Sequence, residues 1–282
     1  GQRLMNYTIE NDVAASVFLW LVNILIERNE GFSNYTGSFA LSTSSISGVL
    51  SYASPHRQWV YDSTVAGAII PSGVYNGSSF TTTGSGMQLN FNKGEALFAS
   101  SVTGTVSGSY TYKDVNVYQI QTNEERVLFD GAFKVNPRTQ LLYNEAYDIV
   151  APCILIRNRG GANETLCFDG LSSTIIPIRL TLLCDSMYLF TAVKSILRDR
   201  KETFIPVLNS NEMPFNIYGG LQFGSFDYSA VSSSVQMDSS RLAFIKEVYL
   251  SDFQDPVNNL IGSKIFGGFI DLDLELLRFP RL

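Results

Sequence analysis

The most chemically suggestive run in the sequence is an alternation of acidic and aliphatic residues between Phe269 and Leu276. Within it, Asp271, Asp273 and Glu275 occupy every second position. Side chains two residues apart lie on the same face of a β-strand, so the pattern predicts a strand with one buried face and one row of carboxylates. Three such carboxylates offer hard oxygen ligands for a calcium ion, although one strand supplies too few ligands alone. The ordinary alternative is a solvated strand face.

Catalytic residues are harder to find in this sequence. The only histidine, His56, lies in the segment Ser54-Pro-His-Arg-Gln-Trp59, and a Ser-His-Asp or Cys-His centre would have to be built around it. Paired-carboxylate chemistry stays open, because any two of the 26 acidic residues can meet in a fold. The pairs Gly160-Gly161 and Gly219-Gly220 belong to no phosphate-loop motif and indicate turns. We therefore expect a protein that is not an enzyme and needs no cofactor or catalytic metal.

The three cysteines, Cys153, Cys167 and Cys184, are odd in number and show no CxxC spacing. This spacing supports neither a zinc knuckle nor a disulfide framework. We expect buried, reduced thiols that belong to the core.

Composition narrows the class of protein further. The chain has 282 residues, of which 45% are hydrophobic and 16% charged, and its net charge is −6. A chain of this kind can bury a large core. Few charges together with many Ser, Thr, Gly and Tyr residues indicate extended β surface. The negative charge argues against a protein that grips nucleic acid through clustered Lys and Arg.

A predicted helix over residues 11–30 positions the first part of the chain. The run from Val13 to Ile26 is almost wholly apolar, and acidic residues flank it on both sides. The run is shorter than the roughly 20 residues that a helix needs to span a bilayer. The sequence thus predicts a buried helix and no membrane association, with a cap at Asn11 or Asp12 and a stop at Gly31. Because apolar side chains surround this helix, we expect it to pack on two sides. Trp20 and Leu21 are then candidates for a contact with a partner subunit.

Residues 31–150 form a region rich in Gly, Ser, Thr and aromatic residues. Short apolar runs separated by glycines predict a meander or a set of hairpins. The segment Pro71-Ser-Gly-Val-Tyr-Asn-Gly77 is typical of a loop that leads into a hairpin, with Asn76-Gly77 as its tight turn.

Residues 151–282 show the clearest order of elements. The sequence predicts a strand over Thr174–Leu183, an amphipathic helix over Ser186–Lys201, and two strands over Arg241–Leu250 and Lys264–Phe279. Gly267 and Gly268 predict a bulge or bend before the acidic run. The predicted class is α+β: one elaborated domain with a largely antiparallel β-sheet, an N-terminal helix and one long helix packed on the sheet.

This order of elements resembles the neck and tail-terminator proteins of tailed bacteriophages. The resemblance covers residues 174–282 and the first helix, and it is a pattern of elements without a specific motif. The segment Pro71-Ser-Gly-Val-Tyr75 and the hairpins after it also resemble phage virion proteins. The long region 31–150 departs from the smaller terminators, which leaves another neck ring, a tail-tube completion protein or a baseplate component as alternatives.

The resemblance implies a structural subunit of the virion, assembled in the host cytoplasm, that closes into a ring of roughly six or twelve copies. Its partners would be other copies of itself and adjacent neck, connector, tail-tube or sheath proteins. Asp271, Asp273 and Glu275 would then line or flank the lumen and repel DNA that passes without specific binding. Loops at residues 31–60 and 205–240 would contact adjacent rings. Phe215 and Tyr218, in the segment Met213–Leu221, are the strongest contact candidates, with core packing as the alternative.

A carbohydrate-binding or adhesive β module of a virion or secreted protein is the second hypothesis. Aromatic side chains that are exposed can stack on sugar rings, and Trp59, Tyr61, Tyr75 and Tyr110 are the candidates. Core packing is the more ordinary use of such residues.

Overall fold

The computed structural model describes residues 9–42, 48–84, 86–120, 133–135, 149–165, 172–253 and 265–278. Three α-helices lie in these ranges: α1 (Ile9–Ile26), α2 (Met187–Arg198) and α3 (Tyr228–Val235).

The three longest strands that the structure describes have 11 to 13 residues and all lie in the second half of the chain. In chain order the strands are β1 (Phe32–Ser38), β2 (Ala40–Ser42), β3 (Leu50–Ala53), β4 (Gly73–Asn76), β5 (Ser79–Thr82), β6 (Met87–Asn90), β7 (Glu95–Phe98), β8 (Val106–Lys113), β9 (Asn116–Gln119), β10 (Phe133–Val135), β11 (Ile149–Ala151), β12 (Cys153–Asn158), β13 (Ala162–Thr165), β14 (Ser172–Cys184), β15 (Phe204–Pro206), β16 (Leu242–Asp252) and β17 (Phe266–Arg278).

The largest sheet has seven strands and belongs mainly to the second half of the chain. Its order is β15-β16-β17-β14-β12-β9, and β13 also pairs with β14. Every pair in it is antiparallel except β9 with β12. A mainly antiparallel sheet with an N-terminal helix and a helix packed on it confirms the predicted α+β class.

Two four-stranded antiparallel sheets account for most of the glycine-rich region. Their orders are β1-β8-β4-β5 and β2-β3-β7-β6. The predicted hairpin is present as β4–β5, but its turn lies one residue later than predicted: Asn76 pairs with Ser79 as the last residue of β4, and Gly77 and Ser78 form the turn. The φ of Gly77 is 61°. A side chain is disfavoured in that left-handed conformation, which explains the glycine.

Helix α1 is buried by its own chain. It packs against β9, β12 and β15 and also touches α2. Because neighbours cover most of it, most of its apolar side chains are buried within the protomer, and Phe18 and Leu25 remain partly exposed. Ser16, one of its few polar residues, donates to the Asp12 carbonyl and accepts from the Leu208 amide at 2.9 Å. By length and composition α1 is able to cross a membrane, but 56% of it is buried inside the protein, as in a core helix.

The predicted bounds of α1 were displaced toward the C-terminus. The helix already includes residue 9 and ends at Ile26, so Asn11 and Asp12 lie inside it and not at its cap. The chain leaves the helix through Asn29 and Gly31, both with positive φ. An apolar run with acidic flanks predicts that a helix is present, but it does not predict the residues at which the helix begins and ends.

The order of strand, helix and two strands in the last third matches the sequence closely. Helix α2 has Ser186 at its N-cap position and buries Phe190, Val193 and Leu197 at spacings of three and four. Gly267 and Gly268 form no bulge, because both pair regularly with β14. The bulge lies instead in β16, between Ile245 and Glu247.

Gly267 and Gly268 allow neighbouring groups to approach the backbone closely. A Cβ at Gly267 would lie 2.4 Å from the Phe253 ring, and one at Gly268 would lie 2.5 Å from a backbone carbonyl of β16.

Two of the cysteines, Cys153 and Cys184, are buried and free. Burial raises the pKa of both thiols, that of Cys184 to about 12. Cys167 lies outside the described residues, as do Lys264 and Phe279 at the predicted ends of the last strand.

Candidate functional site

The seven-stranded sheet has one face covered by helices. A second apolar cluster, which includes Leu155, Leu183 and Phe253, buries one end of the opposite face, and the described residues leave the rest of that face, around the acidic run, uncovered. We call this opposite face the open face. On the covered face, the aliphatic residues of β14 and β17 are buried, among them Ile178 and Leu272. Helix α2 packs on β14, β16 and β17. The open face carries the alternate residues of the same strands, including all three carboxylates of the acidic run. The predicted division of this strand into an apolar and an acidic face is therefore present.

Two of the three carboxylates in this row have cationic partners. Arg179 stands directly opposite Asp271 in the register and binds it through two hydrogen bonds, at 2.7 and 2.8 Å. This ion pair raises the pKa of the Arg179 guanidinium. Glu275 lies 3.8 Å from the ammonium of Lys246. Neighbouring cations thus offset part of the negative potential that we expected for DNA repulsion, and they engage oxygens that a calcium ion would need.

Aromatic side chains flank the acidic run on the open face. Tyr249 is opposite Asp271 and is 55% exposed, and Phe204 is 56% exposed. The rings of Phe204 and Phe244 are 5.2 Å apart. The short strand β15 pairs only with the beginning of β16, so the outer edge of residues 246–252 has no strand partner within the described structure.

The structure corrects the prediction that two residues of α1 contact a partner subunit. Trp20 is 5% exposed and Leu21 is fully buried, both within the core of their own protomer. They cannot contact a partner subunit while the protomer is folded in this way. The reason is that the sheet and α2 together cover the helix.

The two candidates of the segment Met213–Leu221 differ from one another. Phe215 is partly buried, and its ring packs on Tyr61 with 4.8 Å between ring centroids. Tyr218 is 37% exposed. Phe215 therefore also has the packing role that we gave as the alternative, whereas Tyr218 remains a surface candidate.

Three of the four aromatic residues proposed for sugar stacking are buried. Trp59 and Tyr110 are fully buried, and Tyr61 is 3% exposed. Tyr75 is exposed and lies beside Phe80, with 5.0 Å between the ring centroids. Of the four proposed residues, Tyr75 with its neighbour Phe80 is left for the carbohydrate hypothesis.

His56 lies within an aromatic cluster. Its ring stacks on Tyr112 at 3.7 Å, and its Nδ1 is 3.0 Å from the hydroxyl of Tyr110. Burial lowers the pKa of His56 to about 4. The nearby Ser54 hydroxyl donates to the backbone carbonyl of His56, so it is not placed as a nucleophile for this histidine.

A cleft that the sequence did not predict lies between α1, β9 and three connecting segments. It has a volume of about 410 Å³, within the usual range for small-molecule sites of roughly 300–1,000 Å³. Its apolar walls include Phe18 of α1, Val117 of β9 and Phe215. Arg57 and Lys93 are its charged residues, and no acidic side chain is among the described residues that line it.

One wall of this cleft is held by an unusual pairing. The side-chain amide of Gln58 donates to the Val117 carbonyl at 2.6 Å and accepts from the Val117 amide at 2.8 Å. The side chain thus binds β9 as a neighbouring strand would. Gln58 itself has a φ of 53°, a left-handed conformation that costs a non-glycine residue roughly 1 kcal/mol or more.

Directly behind the cleft wall lies a buried lysine. The ammonium nitrogen of Lys113 is 5.9 Å from the ring centroid of Phe18, which lines the cleft, and 5.4 Å from that of Tyr61, which packs on Phe215. Lys113 is 3% exposed, and its nitrogen has no hydrogen-bond partner among the described residues. Burial lowers its pKa to about 7. In the sequence it stands between Tyr112 and Asp114 with nothing to distinguish it from a surface lysine.

No protein-family model and no curated protein matches the chain.

Proposed function

We propose that this protein is a structural subunit of a tailed-phage virion that assembles into a ring in the neck or tail. In this role it joins the capsid connector to the tail, contacts adjacent neck, connector, tail-tube or sheath proteins, and lets DNA pass without binding it specifically. It carries out no catalysis and is assembled in the host cytoplasm. The resemblance in the order of elements is the starting point of the proposal.

The open face of the seven-stranded sheet is the observation that carries the proposal. A sheet face that is covered at one end and exposes aromatic rings on the remainder presents a surface that another subunit can cover. Phe204 and Tyr249 are each more than half exposed, and the unpartnered outer edge of β16 lies beside them. An exposed edge of this kind is a template for pairing with a strand of another chain.

The charges on this face fit a specific contact better than a non-specific one. Asp271 with Arg179, and Glu275 with Lys246, alternate in sign across neighbouring strands. Mixed charges restrict which partner and which orientation are accepted, while the rings supply the buried area. In the proposed ring, the open face meets a neighbouring subunit, and the acidic run lies in or beside that interface.

The test is the mass of the purified protein by light scattering at several concentrations, followed by negative-stain imaging. We expect closed rings for the wild type. The double variant Phe204→Glu/Tyr249→Glu is expected to remain folded, because both side chains are largely exposed, and to lose the rings because it places charge in the interface. Met237→Glu is the matched control, at a side chain that is 96% exposed and lies outside this sheet.

Two results would contradict the proposal. A wild-type protein that stays monomeric at every concentration does not assemble by itself. Rings that persist in the double variant would show that assembly uses another surface.

A further inference from the structure

The cleft between α1, β9 and the segments at residues 57–58, 92–93 and 213–215 is separate from the acidic run on the open face of the sheet. We propose that this cleft binds a small amphiphile with a carboxylate head and an apolar chain, such as a medium-chain fatty acid. This inference goes beyond the proposed role in assembly and does not depend on it.

The apolar part of the ligand is inferred from the walls. Phe18, Leu19, Val117 and Phe215 contribute aliphatic or aromatic surface to the cleft. A chain of about ten carbons fits into about 410 Å³, and each methylene transferred from water contributes roughly 0.8 kcal/mol. This volume matches a small molecule better than a helix or strand of a partner protein.

The anionic head is inferred from charge. The chain as a whole carries a net charge of −6, yet Arg57 and Lys93 are the charged residues of the cleft lining and no carboxylate is among the described residues there. A cleft whose charged lining residues are both cations favours an anion over a cation, and Lys93, which is partly exposed there, is the residue that can meet the head group.

The buried Lys113 is an independent observation that points the same way. Its nitrogen has no hydrogen-bond partner among the described residues and lies near the rings of Phe18, which lines the cleft, and Tyr61, which packs on Phe215. A buried amine without a hydrogen bond is costly, and an anion in the cleft would stabilise its protonated form. Tyr61 beside it is flanked by Asp62 and Tyr228, and the Asp62 carboxylate already accepts hydrogen bonds from Thr64 and the amide of Tyr228.

The experiment is isothermal titration of the purified full chain with sodium decanoate, kept below its micelle-forming concentration and at a pH below 7. Decanol and decyltrimethylammonium have the same chain with a neutral or cationic head and serve as matched ligands. We expect decanoate to bind at least about tenfold more tightly than either of them. Acetate, which has the head without the chain, should show no binding.

Variants of the protein separate the two parts of the site. Lys93→Glu should weaken decanoate binding by about tenfold or more, and Lys113→Met by about fivefold. Arg198→Glu makes the same change of charge at an exposed residue of α2, outside the cleft, and should leave the affinity unchanged. Thermal unfolding of each variant without ligand shows that it is folded.

Three outcomes would overturn the proposal. Decanoate that does not bind, or that binds no better than the cationic ligand, would exclude an anion site. An unchanged affinity in Lys93→Glu would place the ligand elsewhere. A fall in light-scattering mass during the titration would show that a second copy of the chain, and not a small molecule, occupies the cleft.

Discussion

Replacing Lys113 by methionine should make the protein more stable, and the gain should depend on pH. Burial lowers the pKa of this amine from 10.5 to about 7. Each unit by which the pKa differs between the folded and unfolded chain corresponds to about 1.36 kcal/mol. Burying the amine therefore lowers the free energy of unfolding by about 4 kcal/mol at pH 7. The unfolded chain binds the proton up to pH 10.5 and the folded chain only below about 7. Stability therefore rises with pH between these two values.

The measurement is the free energy of unfolding of wild type and Lys113→Met, from chemical denaturation at pH 7 and pH 9. Methionine keeps the length of the apolar stem between Phe18 and Tyr61 and removes the amine. The variant should be more stable by about 4 kcal/mol at pH 7 and by about 2 kcal/mol at pH 9. Ionisation of Tyr61 does not affect the comparison between pH 7 and pH 9, because burial and the neighbouring Asp62 raise the pKa of Tyr61 well above 10.

The control is Lys93→Met, the same substitution at a partly exposed lysine. Its effect on stability should lie within about 0.5 kcal/mol and should not change with pH. If Lys113→Met destabilises the protein at pH 7, or if its effect is equal at both pH values, the amine is not buried without a partner and the reasoning fails.

Three further substitutions test the packing around the two sites. Gln58→Leu should cost about 2–4 kcal/mol, because it leaves both backbone groups of Val117 without partners, and hydrogen exchange at the Val117 amide should accelerate. His56, with its pKa lowered to about 4, takes up a proton more readily in the unfolded chain. Wild-type stability should therefore fall relative to that of His56→Phe as the pH decreases from 6.5 to 4, which thermal unfolding across that range would show. Gly268→Ala should lower the midpoint of denaturation by an amount equivalent to about 1–3 kcal/mol, whereas Gly84→Ala, where a Cβ meets nothing within 4 Å, should have little effect.

The elements of the last third were predictable because their periods are regular. Alternation over residues 269–276 and the three-four spacing from Phe190 to Leu197 each leave one solution for which side chains are buried. The structure has β17 and α2 at these places, with the expected faces in the core. The fold class followed from the same patterns.

The partners of the candidate site residues were not predictable in this way. Asp271 meets Arg179 only because β14 and β17 pair in one particular register, and that register is a tertiary property. Likewise, an apolar helix with Trp20 on its surface can be covered by its own chain or by another. Nothing in a local pattern distinguishes these cases, and here its own chain covers it.

The cleft was hidden for the same reason, since residues 18, 58, 93, 117 and 215 come from five separate parts of the chain. Two features of its surroundings are unfavourable for stability: the left-handed backbone of Gln58 and the buried amine of Lys113. Departures from local rules that lower stability concentrate at functional sites. The described part of the open sheet face holds no comparable buried charge, because Asp271 and Glu275 are paired with cations and Asp273 is partly exposed. A surface that is merely covered during assembly needs no strained backbone or buried charge, whereas a site that selects one kind of ligand can use both. This contrast is why we propose assembly for the sheet face and ligand binding for the cleft.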